Sequence, residues 1–164
     1  MFGSSPLGDE SRPRDDAIRL LARREYSRHE LAERLVAKGH EAEAIAGCLD
    51  ALAEEGLQSD TRFAESFLRS RILRGQGPLK IRLELERRGL DREEIRLAFD
   101  EAAQRGEGDW FALACDALSR RFSGPGDIPR ERARRERFLA SRGFDFDQVR
   151  HALEHAWDSA TDHS

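Results

Sequence analysis

Twenty-six arginines against two lysines, Lys38 and Lys80, dominate the chemistry available to this 164-residue chain. A guanidinium is planar, permanently charged and forked, so it suits phosphate and carboxylate partners alike. The arginines are unevenly spread. From Arg69 to Arg92 eight basic residues stand against Glu84, Glu86 and Asp91, a net of +5. From Arg120 to Arg142 eight more stand against Asp127, Glu131 and Glu136, again +5. Residues 1–58 hold 8 basic and 12 acidic side chains, so the overall −4 conceals an acidic start and two basic windows. The candidate binding residues in the first window are Arg69, Arg71, Arg74, Lys80, Arg82, Arg87 and Arg88. In the second they are Arg130, Arg132, Arg134, Arg135, Arg137 and Arg142. A plainer reading stands beside this one: Glu84–Arg88 and Glu131–Arg135 have the four-residue spacing of ion pairs on a solvated helix. Gly75-Gln76-Gly77-Pro78 precedes a helix start, whose free amides attract anions, although Gly-Pro there is commonly just a turn.

Catalytic groups do not assemble in the sequence. It holds no Walker motif, no Gly-x-Ser-x-Gly and no zinc-type cysteine spacing. His151 and His155 lie four apart on one predicted helix, the spacing of a metal pair. They sit off the apolar stripe Val149-Leu153-Ala156, and no third ligand accompanies them, so solvated surface histidines are expected and no metal. The acids have no apolar surroundings that would raise a pKa. Cys48 and Cys115 each fall in an apolar stripe, Ile45-Cys48-Leu49-Leu52 and Phe111-Cys115-Leu118, where a small buried thiol is expected. The residues therefore favour binding over catalysis, with no cofactor.

Charged residues make up 37% of the chain, against roughly 25% in an ordinary soluble domain. Hydrophobic residues make up 38%. Such a balance can signal disorder, but nine Phe and two Trp at regular helical spacings oppose it. Disorder is expected only at the ends, 1–13 and 159–164. Ala (21) and Leu (19) abound, while Ile (6), Val (2) and Thr (2) are scarce, which excludes a β protein. No apolar run approaches the roughly 20 residues that span a bilayer, and the N-terminus lacks a signal pattern. No membrane association and a cytoplasmic location are expected.

What positions the basic windows is a threefold repeat. Lys38-Gly39, Arg88-Gly89 and Arg142-Gly143 anchor it. Four residues before each glycine stand Leu35, Leu85 and Leu139, and six after stand Ile45, Ile95 and Val149. Ten after stand Leu49, Phe99 and Leu153, and thirteen after stand Leu52, Ala102 and Ala156. The repeats run 14–58 (acidic), 59–106 and 107–158, each of three helices, about nine in all. First helices carry paired apolar positions one turn apart: Ala17-Ile18 with Leu21-Ala22, Phe63-Ala64 with Phe67-Leu68, and Trp110-Phe111 with Ala114-Cys115. The second helix ends at the anchoring glycine, a left-handed cap. It begins at a Ser27–Glu30 capping box with a Tyr26–Leu31 staple, or at Pro78 and Pro129. Third helices open on Asp91 and Asp145, with Glu94 and Gln148 three residues on; His40-Glu41 follow that grammar loosely. Units of this size are small for independent folding, so neighbouring repeats are expected to share core. The fold class is all-α: three tandem three-helix repeats in an elongated, curved array, with a monomer expected.

Three stretches of the chain resemble the RecX family of bacterial regulatory proteins. The first is Glu25-Tyr26-Ser27-Arg28-His29-Glu30-Leu31 through Leu35 and Gly39. The second is Ser59-Asp60-Thr61-Arg62-Phe63-Ala64 through Arg71, Gly75, Gly77-Pro78, Ile81, Glu84-Leu85 and Gly89-Leu90. The third is Asp109-Trp110 through Leu113-Ala114 and Asp116, then Arg121-Phe122, Phe138-Leu139 and Arg142-Gly143-Phe144. The resemblance covers about 14–157, with the central stretch the most specific. It implies tandem three-helix repeats and a non-enzymatic modulator of the recombinase RecA. Such a modulator lodges in the groove of the RecA–DNA filament and damps recombinase activity, ATP turnover and co-protease function, and so recombination, DNA repair and the SOS response. The resemblance transfers no residue-level motif, so the candidate residues rest on charge placement; they would face filament acids or phosphates of its DNA. Direct DNA binding is a secondary expectation. Two alternatives stand beside it, a free-standing DNA-binding helical module and a structural helical scaffold.

Overall fold

The computed structural model describes residues 12–158. The expected disordered ends lie outside the described residues, except Arg12 and Pro13: Arg12 is the N-cap of the first helix and Pro13 its first residue. Nine α-helices and no strand occur among the described residues. In chain order they are α1 (Pro13–Leu21), α2 (Arg28–Ala37), α3 (Ala42–Glu54), α4 (Asp60–Leu73), α5 (Pro78–Arg87), α6 (Arg92–Gln104), α7 (Trp110–Arg121), α8 (Pro129–Arg142) and α9 (Phe146–His155). No described helix is long and apolar enough to cross a membrane.

The periodic positions are the core. Leu35, Leu85 and Leu139 are fully buried at 0% exposure, and Ile45, Ile95 and Val149 are buried too. Each such side chain contributes on the order of 1.5–3 kcal/mol by leaving water. The third repeat departs from the pattern at its end, where Leu153 and Ala156 are only half-buried and Ala152 takes the inner position. Three first-helix positions also face outward, Ile18, Ala22 and Phe111. The anchoring glycines take φ of +93° (Gly39), +90° (Gly89) and +100° (Gly143), the left-handed conformation that ends a helix without a Cβ penalty.

Contacts divide the described residues into two compact units: 12–66 with Arg88–Asp91, and Phe67–Arg87 with 92–158. In the first unit Ala17, Tyr26, Leu31, Leu35, Ile45, Leu49 and Leu52 form one cluster, with Cys48 at its edge. The Ser27–Glu30 capping box is formed. Ser27 does more than cap: fully buried, its hydroxyl donates to the Arg88 carbonyl at 2.8 Å. Beside it Gly89 packs so tightly on His29 that a Cβ there would sit 2.4 Å from the His29 Cβ. The start of α2 is thus seated on the turn that follows α5.

The second unit repeats this joint. The amides of Gly77 and Leu79 donate to the carbonyls of Arg142 (2.7 Å) and Gly143 (2.9 Å), seating the start of α5 on the end of α8. Ala114, Leu118, Leu139, Phe144, Val149 and Ala152 form its terminal core cluster, with Cys115 and Trp157 packed against it. Asp145 caps α9 and completes the expected capping box with Gln148. Glu41, by contrast, stands at the N-cap of α3 without a side-chain cap bond. Its neighbour His40 turns inward to Asp16 instead, at 2.6 Å.

Candidate functional site

The thirteen candidate residues divide by what they touch. In the first window Arg71 is half-buried, lies 4.4 Å from the Phe67 ring and pairs with Glu84 at 3.2 Å. Arg88 pairs with Glu30 at 3.1 Å, within the first unit. Arg69 is exposed and reaches Glu107 at 3.6 Å. Arg82 is exposed but lies over the Phe99 ring at 4.4 Å. Arg74, Lys80 and Arg87 are exposed.

In the second window Arg130, Arg134 and Arg137 recur at helical spacing, all exposed, on the side of α8 opposite buried Leu139. Arg132, seven residues before Leu139 and so on the same face of α8, is exposed near the start of the helix. Arg135 turns inward: it stacks 4.4 Å from the Phe122 ring, donates to the Gly124 carbonyl at 2.8 Å and to the Glu131 carbonyl at 2.9 Å. It thereby holds the 122–128 connection against α8. Arg142 is half-buried, lies over Phe138 at 4.9 Å and reaches the Arg74 carbonyl at 3.4 Å.

The second unit brings residues of both windows together. Arg74 at the end of α4, Arg120 and Arg121 at the end of α7, and Arg142 at the end of α8 surround one cleft of about 340 Å³. Its floor and walls are largely apolar, from Ile72, Leu73, Leu113, Ala117 and Phe138, with Asp116 as the single acid. Arg74, Arg120 and Arg121 are exposed and form no ion pair among the described residues. Three unneutralised guanidinia around a concave apolar floor suit a ligand that combines anionic and apolar groups. Arg120 and Arg121 lie inside the second basic window but outside the thirteen candidates. Their place at the end of a first helix, where Arg121 matches Arg74 in the repeat register, is the signal that marks them.

The anion site suggested at Gly75-Gln76-Gly77-Pro78 is overturned. The amides of Gly77 and Leu79 are taken by the Arg142 and Gly143 carbonyls, so that helix start is a joint between repeats. His155 bonds Asp158 at 2.7 Å, while His151 meets the Phe111 ring edge-on at 5.2 Å. Both cysteines are free and half-buried, and burial pushes both thiols upward. A buried acid escaped sequence reasoning altogether. Asp16, 3% exposed, is held by His40, with Arg19 at 3.4 Å and Lys38 at 3.9 Å. The His40 hydrogen bond holds its carboxyl below the ordinary value, against the opposing cost of burial.

Known proteins show the same organisation. Family models for the first, second and third three-helix domains of RecX match residues 14–52, 59–98 and 107–153. The regulatory protein RecX of Chromohalobacter salexigens is 63% identical over 150 residues, covering 92% of this chain and 96% of that one. That of Halorhodospira halophila is 49% identical over 141 residues, covering 85% and 84%. The crystal structure of RecX from Lactobacillus salivarius superposes with a TM-score of 0.71 at 20% identity, covering 92% of this chain and 98% of that one, which shows the shared fold.

Proposed function

We propose that this chain, which belongs to the RecX family of regulatory proteins, binds the RecA recombinase and its DNA filament and damps recombinase, ATPase and co-protease activity. It does so without catalysis of its own, by occupying the filament. The observation that carries the reading is the convergence of Arg74, Arg120, Arg121 and Arg142 on one cleft. The outward row Arg130, Arg134 and Arg137 adds to it. A filament offers carboxylates on its protein and phosphates on its DNA, the two anions for which guanidinium is built. The acidic first repeat disfavours naked DNA as the main target, since a negatively charged stretch is repelled by a phosphate backbone. Cytoplasmic location follows from that partner.

Titrating the protein into a RecA-family ATPase assay on single-stranded DNA tests this reading. Inhibition that saturates with protein concentration is expected, and no inhibition overturns it. Reversing Arg82 and Arg134 together to Glu is expected to weaken filament binding while helical content stays unchanged; unchanged binding removes Arg82 and Arg134 from the site.

A further inference from the structure

Leu73, at the end of α4, is 79% exposed, the most of any large hydrophobic side chain among the described residues. It does not stand alone. It lines two clefts, one of about 340 Å³ and one of about 320 Å³, and both are walled by Ile72, Leu73 and Leu113. Sharing these three residues, the two clefts adjoin and are read together as one groove. Its ends carry different charge: Arg74, Arg120 and Arg121 at one, and Glu107 and Asp109, with Arg69 reaching Glu107, at the other.

We propose that this groove docks a peptide segment of the regulated recombinase, an acidic stretch carrying an apolar anchor residue; the proposal rests on the regulatory reading above. The anchor packs on Leu73 and its carboxylates lie on Arg74, Arg120 and Arg121, so the charge difference between the ends sets the direction of the segment. An apolar anchor ringed by charge-assisted hydrogen bonds is the pattern that concentrates binding energy in a few side chains. The groove suits a peptide better than a nucleic acid. Single strands bind by stacking bases on open aromatic faces along a basic track. The ring in these walls, Phe138, already meets Phe122 edge-on at 5.6 Å and is covered by Arg142 at 4.9 Å. Asp116 in the wall and Glu107 and Asp109 at the far end repel a phosphate chain running along the groove.

The test places the photo-crosslinking residue p-benzoylphenylalanine at position 73, and at Leu97 of α6, 46% exposed, as a control. Each full-length protein is irradiated with recombinase filaments on single-stranded DNA, and the linked species are identified by mass spectrometry. Position 73 is expected to capture a recombinase peptide with two or more Asp or Glu beside an apolar residue, and position 97 none. In parallel, Leu73→Asp is expected to weaken filament binding at least tenfold with unchanged circular dichroism, and Leu97→Asp less than twofold. Capture of DNA, capture of a second copy of this chain, no capture at position 73, or wild-type binding by Leu73→Asp overturns the docking site. Failure of the regulatory reading registers separately, as unmodified protein that leaves the ATPase unaffected.

Discussion

The α-carbon of Gly143 faces Lys80 so closely that a Cβ built on it would lie 2.5 Å from the Lys80 Cβ and 2.8 Å from its backbone nitrogen. Backbone meets backbone at this joint, so nothing yields cheaply. Gly143→Ala must both hold φ near +100° and push α5 away. A loss of at least about 2 kcal/mol is expected from strain plus overpacking. Gly39→Ala has the same backbone strain, but no described residue lies within 4 Å of the new carbon, and a smaller loss of about 1–2 kcal/mol is expected. Urea unfolding of the two variants checks the ranking; equal losses would remove the joint from the account.

Gly47, inside α3, gives the opposite sign. It is exposed, has ordinary helical backbone, and a Cβ there would meet no described residue within 4 Å. Gly47→Ala is expected to stabilise by roughly 0.5–1 kcal/mol, because alanine loses less backbone freedom in a helix. A thermal melt reads it directly.

Asp16 predicts an acid limb of stability. Its carboxyl titrates below the ordinary 3.8, chiefly because His40 hydrogen-bonds the charged form. A lowered folded pKa adds stability that is present above the unfolded value and is lost as pH falls through the folded one. Stability of the wild type should therefore decline below about pH 4. Asp16→Asn should be less stable at neutral pH by about 1–3 kcal/mol, having lost a charged hydrogen-bond partner, and should show a flatter acid limb. Urea midpoints from pH 2.5 to 7 measure both; parallel curves for the two proteins would contradict the assignment.

The arginines should separate into two groups by melting temperature alone. Arg71 and Arg135 are half-buried and hold other parts of the fold, so truncation to Ala should cost about 1–3 kcal/mol. Arg130 and Arg137 are exposed, and their truncation should change stability by less than about 0.5 kcal/mol. Filament binding should follow the reverse order when measured at temperatures where all four variants are folded.

Ser27→Ala removes both the acceptor for the Glu30 amide and the donor to the Arg88 carbonyl. A loss of about 1–3 kcal/mol is expected, larger than for an exposed N-cap because the Arg88 carbonyl loses its donor. Ser27→Thr keeps the hydroxyl and should recover part of it.

The repeat was legible because its signals are local and recur. Leu35, Leu85 and Leu139 and the glycines that follow them announce the same burial three times, and a capping box or proline marks where each second helix starts. The joints were not legible as joints. Gly77-Pro78 reads locally as a turn or an anion site, and only the return of Arg142 and Gly143 shows that its amides are taken. Asp16 and His40 are 24 residues apart, beyond any helical period, so their pairing left no trace in spacing. Charge density pointed to the basic windows, yet density carries no register. It could not separate Arg135, which turns inward, from Arg134 beside it. The cleft is least visible of all, because its walls come from α4, α7 and α8.

The length of α8 has a consequence for the joint it forms. In the second unit the start of α5 rests on the end of α8, and α8 has 14 residues where α5 has 10. Its surplus turn begins Pro129-Arg130-Glu131, and Glu131 already holds the Asp127 amide at 2.8 Å. One end of α8 is thus a seat for another helix, while the other is closed by its own loop. The helix works as a bolt does: threaded where it receives a partner, headed where it does not.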